Sequence, residues 1–187
     1  DSTPNGTLND VCLVGDIDQD GDQDVVIGGK QGMDNLVWYE QREGGVWAKH
    51  PIATVRLEAG GILFDVDRDG DLDVVTGQPL GGRELFVSQR AGVLAWVSVP
   101  PDPRVEPWPD TRVIDRVDGE GLLAVDLDGD GLTEIIVEGT VYKPSRTSPL
   151  HWAKERIGAV RRPRTAVGDL DLDGRLEVVM SEGESGT

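Results

Sequence analysis

The chain has 187 residues with 25 Gly, 11 Pro and 37% hydrophobic residues, enough for one substantial domain or two small ones, turn-rich but carrying organised apolar runs that exclude a disordered polymer. Its formal net charge of −17 argues against nucleic acid as a partner. No stretch reaches the roughly 18 apolar residues of a membrane span, and Cys12, the single cysteine, excludes an intrachain disulfide.

Predicted elements begin after a polar, turn-forming stretch over residues 1–9. An apolar run from Val11 to Val14 reads as a strand in which Cys12 is a small buried hydrophobe. The acidic segment Asp16-Ile17-Asp18-Gln19-Asp20-Gly21-Asp22-Gln23-Asp24 follows, and then a second strand from residue 25 to 28. Leu36-Val37-Trp38-Tyr39-Glu40 predicts a third strand, Glu43-Gly44-Gly45 a hairpin turn, and Val46 to Ile52 a fourth. Four strands in so short a span match the size of one propeller blade.

The same unit returns. Its acidic segment recurs as Asp65-Val66-Asp67-Arg68-Asp69-Gly70-Asp71-Leu72-Asp73, as Asp126-Leu127-Asp128-Gly129-Asp130-Gly131-Leu132-Thr133-Glu134, and as Asp169-Leu170-Asp171-Leu172-Asp173-Gly174-Arg175-Leu176-Glu177. Each places carboxylates at positions 1, 3, 5 and 9 and glycine at 6, between two apolar runs. Outside the loops, Trp47-Ala48-Lys49-His50-Pro51-Ile52 has a near copy in Trp152-Ala153-Lys154-Glu155-Arg156-Ile157 and a weaker one at Trp108 to Ile114. The units fall at about 8–52, 53–114, 115–157 and 158–187. The long second unit contains a Leu85-Phe86-Val87 strand, a strand from Val93 to Val99 and a Pro-rich insertion over 100–109. The fourth unit ends after two strands, so about three and a half blades are visible. Such a partial ring leaves an open edge and needs further residues or another chain to complete it.

So many carboxylates in nine residues repel one another unless a cation lies between them. Calcium, which takes six to eight oxygen ligands, resolves the conflict. An EF-hand does not fit, because the twelfth position, where that motif has Glu, holds Ile27, Thr76, Val137 and Met180, and the residues after each loop read as strand. The loops hold five, five, four and four acids, 18 of the 35, so the remaining 17 acids nearly balance the 18 bases.

The repeated Asp-x-Asp-x-Asp-Gly loops followed by Val-Val or Ile-Ile, with Leu36 to Glu40 and Trp47 to Ile52 between them, resemble the FG-GAP/VCBS repeats of integrin-like propellers. The resemblance covers about residues 8–183. It implies an all-β propeller of four-stranded antiparallel blades, secreted or at the cell surface, with up to four Ca2+ ions in the loops between the two inner strands. Carried over residue by residue, the ligands are Asp16, Asp18, Asp20 and Asp24; Asp65, Asp67, Asp69 and Asp73; Asp126, Asp128, Asp130 and Glu134; and Asp169, Asp171, Asp173 and Glu177. The last two loops depart from the first two by ending in Glu.

Fold alone does not choose a function. If strands alternate, the acidic loops share one face and the connections over 53–61, 115–121 and 158–165 share the other. Arg56, Arg116, Arg161, Arg162 and Arg164 fall in those connections, and guanidinium groups suit carboxylates and sulfates. They and Trp96 are the candidate ligand-binding residues, for a carbohydrate, anionic ones included, or a protein partner. Trp47, Trp108 and Trp152 mark the repeat register and read as packing, whereas Trp96 is free of that constraint. His50 reads as structural or exposed. An alternative reading is a polysaccharide lyase or other carbohydrate-active enzyme acting on uronate glycans, with His151 as base and Arg164 holding the uronate carboxylate. A purely structural scaffold is the third.

Overall fold

Each acidic loop joins two antiparallel strands. The computed structural model describes residues 9–29, 35–54, 60–77, 92–117, 121–160 and 163–183. The first sheet is β1 (Asn9–Gly15), β2 (Asp24–Gly29), β3 (Leu36–Arg42) and β4 (Val46–Ala53), paired in chain order. The second is β5 (Gly61–Phe64), β6 (Asp73–Gly77), β7 (Leu94–Val97) and β8 (Thr111–Asp115). The third is β9 (Leu123–Val125), β10 (Glu134–Val137), β11 (Thr140–Ser145) and β12 (Ser148–Arg156), and the fourth pairs β13 (Arg164–Gly168) with β14 (Glu177–Ser181). All pairings are antiparallel. Among the described residues there is no α-helix, and no helix is long and apolar enough to cross a membrane.

In the second sheet the third strand is β7 and the fourth is β8, with the Pro-rich segment connecting them. The Leu85-Phe86-Val87 strand expected from the sequence lies outside the described residues.

The cores lie between sheets rather than within one. Val11, Val26, Leu36, Trp38 and Ile52 of the first sheet pack with Val74 and Val97 of the second and with Val99 and Trp108 of the connection between β7 and β8. The second sheet's Val75, Leu94 and Trp96 pack with Ile135, Val137 and Tyr142 of the third. Strands covered on both faces are buried throughout, as β6, β7 and β10 are, and such strands read as continuous apolar runs. First strands of successive sheets neighbour one another, β1 beside β5 and β5 beside β9. Gly61 allows the first approach: a Cβ there would stand 3.0 Å from Val11 Cγ1 and 3.3 Å from the Val75 carbonyl oxygen.

Three expectations change. Trp96 is 1% exposed, with the Arg112 guanidinium 5.2 Å from its ring centroid, so this ring is core and not a ligand platform. Trp47 is 46% exposed while Trp108 is buried, because the first sheet's fourth strand lies at an edge and Trp108 is folded back beneath the Pro-rich segment. There the Trp108 N–H donates to Ile52 O at 2.9 Å and its indole N–H to Pro103 O at 2.9 Å. Cys12 is exposed, because in β1 it is Val11 that faces the shared core while Cys12 and Val14 point to the other side of the first sheet.

Candidate metal centre

The four acidic loops have one backbone course. Position 6 is a glycine with positive φ in every loop, 96° at Gly21, 101° at Gly70, 83° at Gly131 and 86° at Gly174. Position 4 is left-handed as well, at Gln19, Arg68, Gly129 and Leu172. The first carboxylate templates this turn. Asp16 accepts the N–H groups of Asp20 and Gly21, each at 3.1 Å, and Asp65, Asp126 and Asp169 take the equivalent N–H groups of their loops. One oxygen of the ninth-position carboxylate accepts the N–H of residue 2: Ile17 to Asp24 at 3.1 Å, Val66 to Asp73 at 3.0 Å, Leu127 to Glu134 and Leu170 to Glu177 at 2.8 Å.

These bonds draw the first, third and ninth positions together. In each set, Asp16, Asp18 and Asp24; Asp65, Asp67 and Asp73; Asp126, Asp128 and Glu134; or Asp169, Asp171 and Glu177, one oxygen from each residue lies within 4.8 Å of the others. The fifth-position residues Asp20, Asp69, Asp130 and Asp173 each turn one oxygen to the N–H of residue 7, at 2.9–3.0 Å.

The donor set fits a hard divalent cation. Asp18 Oδ1, Asp67 Oδ1 and Glu134 Oε1 are buried without a hydrogen-bond partner, which costs free energy unless something positive meets them. Burial and then the Asp20 charge push the Asp18 carboxyl above its ordinary range, and burial with Asp69 and Asp65 does the same to Asp67. Burial raises Asp73 furthest, from 3.8 to about 7, against the pull of the Val66 and Val99 N–H groups. An all-carboxylate oxygen set of this kind suits calcium better than zinc or copper.

A sign of metal-free behaviour follows from Asp73. Between about pH 4 and pH 7 the folded state binds more protons than the unfolded chain, so stability falls as pH rises through that window. Glu40, lowered from 4.5 to about 2, acts in the opposite sense, but its window lies below. In chelator the protein is therefore expected to melt higher at about pH 5 than at about pH 7.5, and in excess calcium the order inverts because protons compete with the ion. Thermal melts at the two pH values check this, and a higher melting point at the alkaline value in chelator contradicts it.

The loops lie side by side. Gln19 Nε2 donates to Gly70 O at 3.1 Å and to Asp71 Oδ1 at 2.5 Å, joining loops one and two. Arg68 of the second loop reaches Ser145 O at 2.7 Å, and Arg146 reaches Asp130 Oδ2 and Asp130 O, each at 3.0 Å.

Sequence reasoning missed the cations that approach these loops and the buried cluster behind the first. Arg104, from the Pro-rich segment, pairs with Asp18 Oδ2 at 2.5 Å and with Glu40 Oε1. Glu40 is 3% exposed and its Oε2 also meets Arg42 at 2.5 Å and His50 Nε2 at 2.9 Å. His50 Nδ1 lies 2.8 Å from Glu106 Oε1, and its ring stacks on Trp38 at 4.7 Å. Glu40 and Arg104 are 64 residues apart, so no local pattern signals the pair. Burial alone raises the Glu40 carboxyl, and the hydrogen bonds from Arg42, Arg104 and His50 overcome it.

Of the other expected site residues, Arg56, Arg161 and Arg162 lie outside the described residues. Arg116 is exposed just beyond β8, Arg164 is exposed at the start of β13, and His151 is exposed on β12. These three lie on separate strands or their ends.

Residues 16–76 match the FG-GAP-like repeat family, a span running from the first acidic loop to the strand that follows the second. No curated protein matches the chain in sequence.

Proposed function

We propose that this chain, which carries an FG-GAP-like repeat over residues 16–76, is part of a calcium-stiffened β-propeller acting as a secreted or cell-surface recognition module. Its ligand is a carbohydrate, anionic ones included, or a protein partner. The observation that carries this reading is the fourfold recurrence of one carboxylate set, each between the first two strands of a sheet. Calcium held there fixes strand pairs without occupying the opposite side, where β4, β8 and β12 end. Arg116 and Arg164 belong to that side, and Arg56, Arg161 and Arg162 fall in the sequence between the same strands. Val14 at 61%, Leu170 at 66%, Leu172 at 86% and Val179 at 47% exposure favour completion of the ring by further residues or another chain.

A glycan array containing neutral, sulfated and uronate polymers tests the ligand class. The expected result is calcium-supported binding to an anionic glycan, weakened at least about fivefold by charge reversal at Arg116 and Arg164 together, without turnover. Release of unsaturated uronate, seen as new ultraviolet absorbance and abolished by His151→Ala, would replace recognition with lyase chemistry. If neither glycan nor protein partner is retained, the scaffold reading takes its place.

A further inference from the structure

The ninth-position carboxylate has a different second partner in the third sheet. In the first two sheets its remaining oxygen is closed by a backbone N–H: Gln41 N reaches Asp24 Oδ1 at 2.8 Å and Val99 N reaches Asp73 Oδ1 at 3.1 Å. The ladders fix which residue should do this in the third. Val25 pairs with Tyr39, Val74 with Val97 and Ile135 with Tyr142, so two residues further on stand Gln41, Val99 and Pro144. Proline has no N–H to give. Glu134 Oε1 is accordingly left without a hydrogen bond although Glu134 is 2% exposed.

One residue earlier in the same register, where the other sheets place Glu40 and Ser98, the third places Lys143. Its Nζ donates to Asp128 Oδ2 and lies 3.2 Å from Asp130 Oδ2 and 3.9 Å from Glu134 Oε1. The ammonium thus stands against the third, fifth and ninth carboxylates of one loop, beside the buried oxygen that the missing N–H exposes. A tethered charge at such distances is always at hand, and a divalent ion entering the set must push it out or bind against its repulsion.

Resting on the calcium reading above, we propose that Lys143 is a built-in counter-ion of the third loop. It occupies the carboxylate set when calcium is absent and makes this loop weaker and more readily exchanged than the second; the first loop has a cation of its own, Arg104, at Asp18 Oδ2. The third sheet then keeps its loop in order when calcium is scarce, whereas the second loop, with Ser98 in the equivalent place, has no such substitute in its strand.

Calorimetric titration of the whole chain with calcium chloride tests this, comparing the parent with Lys143→Met and with Lys143→Ser, the latter copying the second sheet should methionine impair folding. Lys154→Met is the charge control, since Lys154 Nζ pairs with Asp115 at 2.7 Å on the neighbouring strand. One calcium site of the parent is expected to tighten about tenfold or more in either Lys143 variant, with the remaining sites, and every site of the control, unmoved. In chelator the Lys143 variants should also melt below the parent. Filled sites with the same affinities in parent and Lys143 variants would overturn the counter-ion role while leaving the calcium reading intact. Absence of calcium binding in every protein overturns both.

Discussion

Exhaustive chelation of calcium is expected to lower the melting temperature by about 20 °C or more. A ligand that binds only the native state contributes roughly 2.7 kcal/mol per site at a hundred times its dissociation constant. Three or four such sites give about 8–11 kcal/mol, and a chain of this size shifts by roughly 2–4 °C per kcal/mol. The acidic sets supply the reason. Asp18 Oδ1 and Asp67 Oδ1 are buried and bare, and burial followed by neighbouring like charges raises both carboxyls in the absence of an ion. Each set joins the first two strands of its sheet, so losing the ion loosens strands that also carry the intersheet cores. Differential scanning calorimetry with and without chelator measures the shift, and an unchanged transition removes calcium from the account.

Glu40→Ala is expected to cost about 3–5 kcal/mol, or roughly 10 °C, the range for breaking a buried charge cluster by removing one member. Glu40 is the shared acceptor for Arg42, Arg104 and His50. Its removal leaves His50, itself 8% exposed, with Glu106 alone, and takes from Arg104 one of the two carboxylates that hold it beside the first acidic loop, the other being Asp18. The Pro-rich segment that carries Arg104 and Glu106 should then open to protease before the rest of the fold. A loss below about 1 kcal/mol, the size of an ordinary surface pair, would show that the cluster is decorative. Limited proteolysis alongside the melt separates local opening from general destabilisation.

What was legible in the sequence was local. The first, third and ninth carboxylates and the sixth-position glycine lie within nine residues, so their convergence follows from a single turn, and the β-branched pairs after each loop exclude a helix. The left-handed fourth position escaped notice because Gln19, Arg68 and Leu172 are not residues that announce it. Trp96 looked available because it fell outside the repeated tryptophan register, yet burial is decided by the neighbouring sheet, which supplies Ile135, Val137 and Tyr142. Cys12 failed for the converse reason: alternation in β1 told which residues share a face but not which face the second sheet covers. Lys143 and Pro144 carried meaning only once the strand ladder placed them opposite Glu134's loop.

The most direct test is the anomalous difference map of a crystal grown in calcium. A peak is expected among Asp16, Asp18 and Asp24 and another among Asp65, Asp67 and Asp73, with carboxylate oxygens at about 2.3–2.6 Å from each. Well-ordered loops with no such density, their carboxylates turned to water, would contradict it.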